Sequence, residues 1–239
     1  MIYNFEGLAC VANKIIGVDT NKYPRFYKSI DRVMTLYHFN KLFVYLHNES
    51  YGGHKILLGA TPGYTKGWKT TFTKTIVTTK PTIEFIENNL SDDEIDCLIG
   101  HEFGHIKNHD MIKLKTPILI MILSWGAGTI ALIHYFYVIH FWTDYAIADL
   151  FMICVTTYIL YLPLVSAPKT LYKLYILPKF TLKCEKQADI ESLHHIKKPD
   201  SLKSALIKYI EKMSATNQYT KLLFPLELRL KRIDDYGIK

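Results

Sequence analysis

The spacing of hydrophobic and polar residues changes along the N-terminal part of the chain, and each change predicts a different element. Between residues 23 and 48, apolar side chains such as Val33 and Leu42 recur at roughly helical spacing, which predicts one helix or two. Residues 54–86 are rich in threonine, valine and isoleucine and are interrupted by glycine and proline, a composition typical of short strands and turns. Within them, FTKTIVTT (72–79) predicts a strand with one face toward water.

A helix with a well-marked start comes next. Ser91 and Glu94 stand three apart, as the N-cap and N3 residues of a capping box do, and acidic residues fill the positive first turn. The pattern predicts a helix from Asp92 to about Lys113. Its buried face consists of the apolar residues that recur at helical spacing: Ile95, Leu98, Ile99, Phe103 and Ile106.

Three polar residues lie on or beside this apolar face. His101 and His105 fall at its edge, one turn apart, and Glu102 falls inside it. A carboxylate on the face toward the core is costly unless another group compensates its charge. We therefore expect this helix to carry chemistry.

The middle of the chain is nearly free of charged residues. Residues 116–142 and 150–168 are each about long enough to cross a hydrocarbon core of roughly 30 Å, and a short acidic link joins them. This predicts a transmembrane helical hairpin. Lysines flank both ends of the hairpin, so the positive-inside rule places both flanks in the cytosol. The alternative is a buried hairpin in a soluble helical domain, which His134, His140 and Pro163 would suit.

Composition narrows the functional classes. The chain has 239 residues, enough for one sizeable core, and a formal net charge of +7. Its basic residues are scattered without an arginine-rich run, so we expect no nucleic-acid partner. The four cysteines lie far apart without a CxxC pair, which argues against a cysteine metal site and is typical of a reducing compartment. The opening residues predict no cleaved signal peptide.

The sequence HEFGH, residues 101–105, is the strongest chemical signal. Residues four apart on a helix share a face, so both imidazoles can place a nitrogen on one tetrahedral zinc ion. Glu102, next to the first histidine, is then placed to act as general base. The motif also occurs by chance, so the prediction of a metal site depends on a third ligand from elsewhere in the chain.

Glu185 is the predicted third ligand. It stands four residues before Asp189 on a predicted helix, so that Asp189 could accept a hydrogen bond from the free ring nitrogen of a ligand histidine. Alone, either acid would be interpreted as a solvated charge. An alternative set of ligands uses Cys184, as in a deformylase-like zinc hydrolase, and the helical pairing of Glu185 with Asp189 favours the peptidase.

At this point the sequence resembles the membrane zinc metallopeptidases that include the heat-shock protease HtpX and the CAAX prenyl protease. Three segments carry the resemblance over roughly residues 52–233, together with the two membrane-length segments: LSDDEIDCLIGHEFGHIKNHD, CEKQADIESLHHIKKPDSLKSALIKYIEKM and LFPLELRL. The last is similar to a family His-Pro-Pro-x-x-x-Arg-Ile segment in Pro225 and Arg229. Where the family has histidine, this chain has Leu223, which puts stabilisation of the transition state in doubt.

The resemblance implies an α+β, mainly α, gluzincin-type fold with a small edge sheet. It implies one Zn²⁺ held by His101, His105 and Glu185, with Glu102 as base. Arg229 is a candidate contact to the substrate or the transition state, or else a structural ion pair. The expected organisation is an N-terminal half of the peptidase domain (1–115), a transmembrane hairpin (116–168) and a C-terminal helical half (169–239).

The expected function is that of a two-pass, membrane-anchored endopeptidase with its active site facing the cytoplasm and protein substrates and membrane lipid as partners. An extended peptide is expected to pair with the FTKTIVTT strand. His109 is a possible helper and more often a helix cap, and the adjacent His194 and His195 are expected on the surface. The main alternative is a homologue that retains zinc but has lost turnover and acts as a binding or regulatory protein.

Overall fold

The computed structural model describes residues 6–11, 14–16, 21–47, 58–66, 69–110, 177–215 and 226–237, with scattered positions between 112 and 134. The chain divides into two compact units. One comprises Met1–Met111 with Leu182–Lys239, and the other comprises Ile112–Thr181. All of the candidate site residues belong to the first unit.

One mixed sheet forms in the order β2-β1-β3-β5-β4. Neighbouring strands are antiparallel except for β3 and β5, which are parallel. Among the described residues, β4 lies at one edge of this sheet. The strands are β1 (Glu6–Val11), β2 (Lys14–Ile16), β3 (Lys41–His47), β4 (Leu58–Lys66) and β5 (Lys69–Thr79).

The predicted FTKTIVTT strand is confirmed within β5, but its predicted environment is wrong. Strand β5 is internal, with β3 on one side and β4 on the other. Thr75, Ile76, Thr78 and Thr79 are all fully buried, so neither face of this part of the strand meets water. Buried threonines are tolerated because their hydroxyls form hydrogen bonds, as that of Thr79 does with Thr82. A peptide therefore cannot add to β5; among the described strands, the edges of the sheet are β2 and β4.

The prediction of helix throughout residues 23–48 is only half right. Helix α1 (Pro24–Leu36) fills the first part, and the chain then turns at His38, which has a positive φ of 53°, into β3. Leu42 and Val44, two apart, are both fully buried, so the second part follows the period of a strand. Leu42 happens to match the helical spacing of the residues before it, which is why the boundary was missed.

Two helices follow the sheet. Helix α2 (Lys80–Asn89) leads into α3 (Asp92–Lys107), whose capping box forms as predicted: Glu94 N–H donates to the Ser91 hydroxyl, and Ser91 N–H donates to the Glu94 carboxylate. The apolar face predicted for α3 is buried. The helix ends before the predicted Lys113, because His109 takes a positive φ of 55°, which a continuous right-handed helix does not allow.

The C-terminal segment supplies three helices, and the predicted α+β, mainly α, class is confirmed. They are α4 (Leu177–Ile196), α5 (Pro199–Ser214) and α6 (Leu226–Gly237). Helix α3 packs against α1, α5, β4 and β5. A second apolar cluster joins α3 to these C-terminal helices through Cys97, Leu193, Leu202, Leu206 and Ile233.

The predicted hairpin falls almost entirely outside the described residues: 150–168 are not described, and 116–142 only at scattered positions. Every described position between 112 and 134 is exposed. They include Ile120, Leu123 and Ile130, which are 59%, 62% and 70% exposed. Within the part of the chain that the structure describes, no helix combines the length and the apolar character that crossing a membrane requires.

Glu94 ties the start of α3 to α5. Its side chain is buried and accepts hydrogen bonds from the Lys208 ammonium (2.8 Å), the Ser204 hydroxyl and the Ser91 N–H. Burial by itself raises the pKa of Glu94, but these three donors outweigh burial and lower it to about 2. The carboxylate therefore stays ionised and holds two sequence-distant helices together.

Replacing this carboxylate tests the link between the helices. We expect Glu94→Gln to lower the free energy of unfolding at neutral pH by about 2 kcal/mol, because it loses a charged hydrogen bond to Lys208. The folded-state pKa is depressed, so Glu94 stabilises the protein fully above its ordinary pKa of 4.5, and the benefit is lost as the pH falls toward 2. Denaturant unfolding at several pH values measures the difference. Glu211→Gln, at an exposed position of α5, is the control; an equal effect of both variants would contradict the assignment.

Candidate metal centre

Three side chains from two helices converge on one point. His101 and His105 lie on α3, and Glu185 lies on α4. One donor atom from each of the three lies within 4.8 Å of the other two. The His101 Nε2 is 3.1 Å from the His105 Nε2 and 3.2 Å from Glu185 Oε2, and the His105 Nε2 is 3.5 Å from Glu185 Oε1. Sequence reasoning predicted this set.

The spacing of these donors fits a small tetrahedral ion. Two nitrogens that each bind zinc at about 2.05 Å in tetrahedral geometry lie about 3.3 Å apart. The separations between the donor atoms of His101, His105 and Glu185 scatter around that value. Two imidazoles and one carboxylate are also the kind of donor set that zinc uses when it leaves one position open for water. These residues therefore fit a zinc ion.

Two glycines on α3 allow Glu185 to come this close. A Cβ on Gly104 would meet the Ala188 Cα at 2.8 Å, and a Cβ on Gly100 would meet the Ile196 side chain at 2.4 Å. The two glycines are one turn apart and face the same neighbour, α4. Helices pack at closer distances where small residues line the contact. The face of α3 that carries the histidines can thus approach α4.

Each histidine ring is oriented by a carboxylate on its other nitrogen. The Nδ1 of His101 is 2.9 Å from Asp189 Oδ1, as predicted from the helical spacing of Glu185 and Asp189. The Nδ1 of His105 is 2.8 Å from Asp110 Oδ2. A carboxylate can only accept, so each Nδ1 donates its proton, which leaves both Nε2 atoms to bind an ion.

Asp110 is the site residue that sequence reasoning missed. It is buried, and it contacts His105 because the helix is interrupted at His109. A helix running to Lys113 would have carried Asp110 away from the His105 ring, since residues five apart do not share a helical face. His109 itself is exposed, and its N–H donates to the Ile106 carbonyl as a cap. Asp110 ends the segment that resembles the family helix, but its place beside His105 could not be predicted without that turn geometry.

Arg229 on α6 lies behind the predicted ligands. The residue is 3% exposed. Its guanidinium donates to both oxygens of Asp189, from Nε to Oδ2 at 2.9 Å and from Nη2 to Oδ1 at 2.6 Å. Its third nitrogen is 2.9 Å from Glu185 Oε2. The Arg229 guanidinium and the His101 Nδ1 are both donors, and Asp189 accepts a hydrogen bond from each of them. Arg229 thus compensates part of the charge of two buried carboxylates.

Glu102 lies between the histidines and the sheet. Its carboxylate is buried, and it accepts a hydrogen bond from the backbone N–H of Ala60 on β4. Burial raises the pKa of Glu102, while the two neighbouring histidines and the Ala60 N–H act in the opposite direction. The net raised pKa makes this carboxylate more basic than an exposed one.

The charges around the histidines favour their protonation when no ion is bound. Burial lowers the pKa of His105, but its contacts with Asp110 and Glu185 outweigh burial and raise it to about 10. The pKa of His101 is raised as well, because Asp189 and Glu185 outweigh burial and the charge of Arg229. A metal must therefore displace protons, so metal affinity increases with pH through the neutral range.

The remaining candidates are less directly involved. Cys184 is buried, and among the described residues it is Glu185, not Cys184, that joins the convergent set. His194 is exposed as expected, whereas His195 is half-buried and packs on the Tyr37 ring with centroids 4.1 Å apart. The expectation of a surface position for His195 was wrong, because α4 lies against the end of α1 there. Leu223 falls outside the described residues.

Removing the missed carboxylate tests its role in holding the ring. We expect Asp110→Asn to weaken zinc binding by about 10- to 100-fold, because His105 loses the acceptor that fixes its ring and its tautomer. Competition with a chromophoric chelator at fixed pH measures the affinity. Asp200→Asn, at a fully exposed acid of α5, should leave it unchanged. Equal zinc affinity in the Asp110 variant and the wild type would show that the carboxylate does not support the ligand.

Comparison of the sequence with known proteins identifies the family of the chain. No curated protein matches the chain by sequence. The model of peptidase family M48 matches residues 63–234, which include the last four residues of β4, both predicted ligand helices and Arg229. Since this match extends over more than half of the 239 residues, the chain belongs to peptidase family M48.

Proposed function

We propose that this protein is a zinc-dependent endopeptidase in which His101, His105 and Glu185 hold the metal and Glu102 is the general base. M48 peptidases are zinc metallopeptidases, so protease activity is the function of the family. The observation that carries the finer proposal is the convergence of two imidazoles and one carboxylate beside a second, buried carboxylate. The resemblance to HtpX and the CAAX prenyl protease supports a place in that branch of the family.

A bound zinc ion would supply a polarised water and a Lewis acid for the scissile carbonyl. The chain's own residues do the rest. Glu102 removes a proton from the attacking water and returns it to the leaving amine, and its raised pKa suits both roles. The Ala60 N–H holds the carboxylate in place. Asp189 and Asp110 keep both imidazoles in the tautomer that faces the ion.

An extended substrate is best placed along the outer edge of β4. This strand lies at the edge of the described sheet and donates the Ala60 N–H to Glu102, so its edge runs beside the general base. Backbone pairing there would set the position of the scissile bond, and side-chain pockets would choose among sequences. Strand β4 replaces β5 in this role.

Arg229 acts through other residues in this proposal. Among the described residues, its guanidinium contacts Asp189, Glu185 and His101, and the side chain is nearly inaccessible to solvent. We therefore assign it the structural ion pair and the placement of Glu185, and not a contact with substrate.

One alternative has a specific observation in its favour. Leu223 stands where the resembling family has a histidine, and a leucine cannot donate a hydrogen bond to a developing oxyanion. A homologue that binds zinc but turns over slowly, or not at all, would act as a binding or regulatory protein. It would retain the metal and the fold while lacking peptidase activity.

Membrane anchoring is part of the proposal. The uncharged stretches 116–142 and 150–168 are long enough to cross a bilayer, and the flanking lysines favour a cytosolic active site. Ile120, Leu123 and Ile130 are exposed apolar residues in the first stretch, as lipid-facing side chains would be.

Glu102→Gln separates chemistry from metal binding. We expect this variant to bind zinc like the wild type and to lose at least about 100-fold in the cleavage rate of an unfolded, casein-like substrate, because the amide cannot accept the proton. Glu185→Gln is the matched variant on α4 and should lose both zinc and cleavage. Elemental analysis and a protease assay with and without chelator measure the two properties. Zinc binding without cleavage in the wild type would select the inactive homologue, and Leu223→His would then be the first reversion.

Membrane association is tested on the full chain expressed in cells. We expect the wild type to stay in the membrane fraction after alkaline carbonate washing and to be released by detergent, because apolar spans cannot leave the bilayer alone. A variant with Leu123 and Ile130 replaced by Lys should be released by carbonate to a larger extent than the wild type. Release of the wild type by carbonate would contradict the two-pass anchor, and the zinc assay would remain independent of this result.

A further inference from the structure

Tyr209 is a buried residue with no part in the proposed chemistry so far. It lies on α5, is 7% exposed, and its hydroxyl oxygen accepts a hydrogen bond from the backbone N–H of Leu58 at 2.6 Å. Leu58 is the first residue of β4. The phenol therefore joins a C-terminal helix to the start of the edge strand, 151 residues apart in sequence.

Leu58 lies two residues before Ala60, whose N–H binds the general base. Leu58 pairs with Thr78 and Ala60 pairs with Ile76, so both N–H groups point to the same side of β4, away from β5. Leu58 N–H meets Tyr209, and Ala60 N–H meets Glu102. Residues two apart on a strand are separated by about 7 Å. The phenol and the catalytic carboxylate are thus neighbours along one edge, and the negative charge of Glu102 helps to raise the pKa of Tyr209.

The helix that carries Tyr209 is itself fixed to the helix that carries Glu102. Lys208, the residue before Tyr209, bonds to Glu94 in the first turn of α3. Three hydrogen bonds therefore link α3 to α5, α5 to β4, and β4 back to α3. Each step is a hydrogen bond to a buried group, so a displacement of β4 would break at least one of them.

We propose that Tyr209 is a positioning residue of the active site: its hydroxyl fixes the edge of β4 relative to α3, so that the Ala60 N–H holds the Glu102 carboxylate in its working orientation. This inference rests on the proposed peptidase function and adds a residue to it. The outward N–H groups of Leu58 and Ala60 are thus both used within the protein, so backbone pairing with a substrate would lie beyond Ala60 on β4. A phenylalanine at this position would fill nearly the same volume but could not accept the hydrogen bond from the Leu58 N–H.

Tyr209→Phe tests the proposal with two independent measurements. The first is amide hydrogen exchange of the segment 58–60, which should become faster in the variant because Leu58 N–H loses its acceptor. The second is steady-state cleavage, in which kcat should fall about 10-fold or more while KM stays near the wild-type value, because the base is displaced and the pairing edge remains. Zinc content should be unchanged.

Tyr23→Phe is the control. Its hydroxyl donates to Glu84 at 3.3 Å, away from the metal centre, so the variant loses a phenol hydrogen bond of a buried tyrosine without touching β4. We expect wild-type kcat and wild-type exchange at 58–60 in this variant. The change in melting temperature should be similar for the two variants.

Three outcomes would overturn the proposal. They are wild-type exchange at 58–60 in Tyr209→Phe, faster exchange with wild-type kcat, and loss of activity accompanied by loss of zinc or by a much lower melting temperature than in Tyr23→Phe. Failure of the proposed function looks different, because the wild type would then show no chelator-sensitive cleavage. In that case the exchange measurement alone decides whether Tyr209 anchors β4.

Discussion

The arrangement depends on how buried charge is compensated behind the histidines. Glu185 and Asp189 are both nearly inaccessible to water, and an isolated carboxylate in such a place would be several kcal/mol less stable than in solvent. The Arg229 guanidinium contacts both, and with the two imidazoles it keeps the pKa of Glu185 well below its usual range. Three helices are bound by one charge-balanced cluster, and a change in any member leaves another charge unpaired.

Close packing of helices makes that cluster geometrically possible. Gly100 and Gly104 present no side chain to α4, so the two helices pack closely enough for Glu185 to reach the imidazoles. The other side of α3 is apolar and packs on α1 and the sheet. The helix therefore carries polar chemistry on one side and the core on the other, and its rigidity comes from the core side.

Much of this site could be predicted because its chemistry is local in sequence. The pair His101 and His105, and the pair Glu185 and Asp189, each follow from the repeat of a single helix. The residues that sequence reasoning missed or misplaced depend on backbone conformation or distant contacts. Asp110 enters through a left-handed residue at His109, and the edge strand was misassigned because alternation shows two faces of a strand but not which neighbours flank it.

The division of the peptidase unit into two stretches of chain has a consequence for biosynthesis. Residues up to 111 and from 182 onward form one compact unit, and the His101 to Arg229 contact joins positions 128 residues apart. During translation α3 emerges long before α6, so the newly made N-terminal half has neither Glu185 nor Arg229 beside its histidines. Contacts of such long sequence separation form late in folding. A chain on the ribosome therefore assembles this charged cluster only after both α4 and α6 have been made.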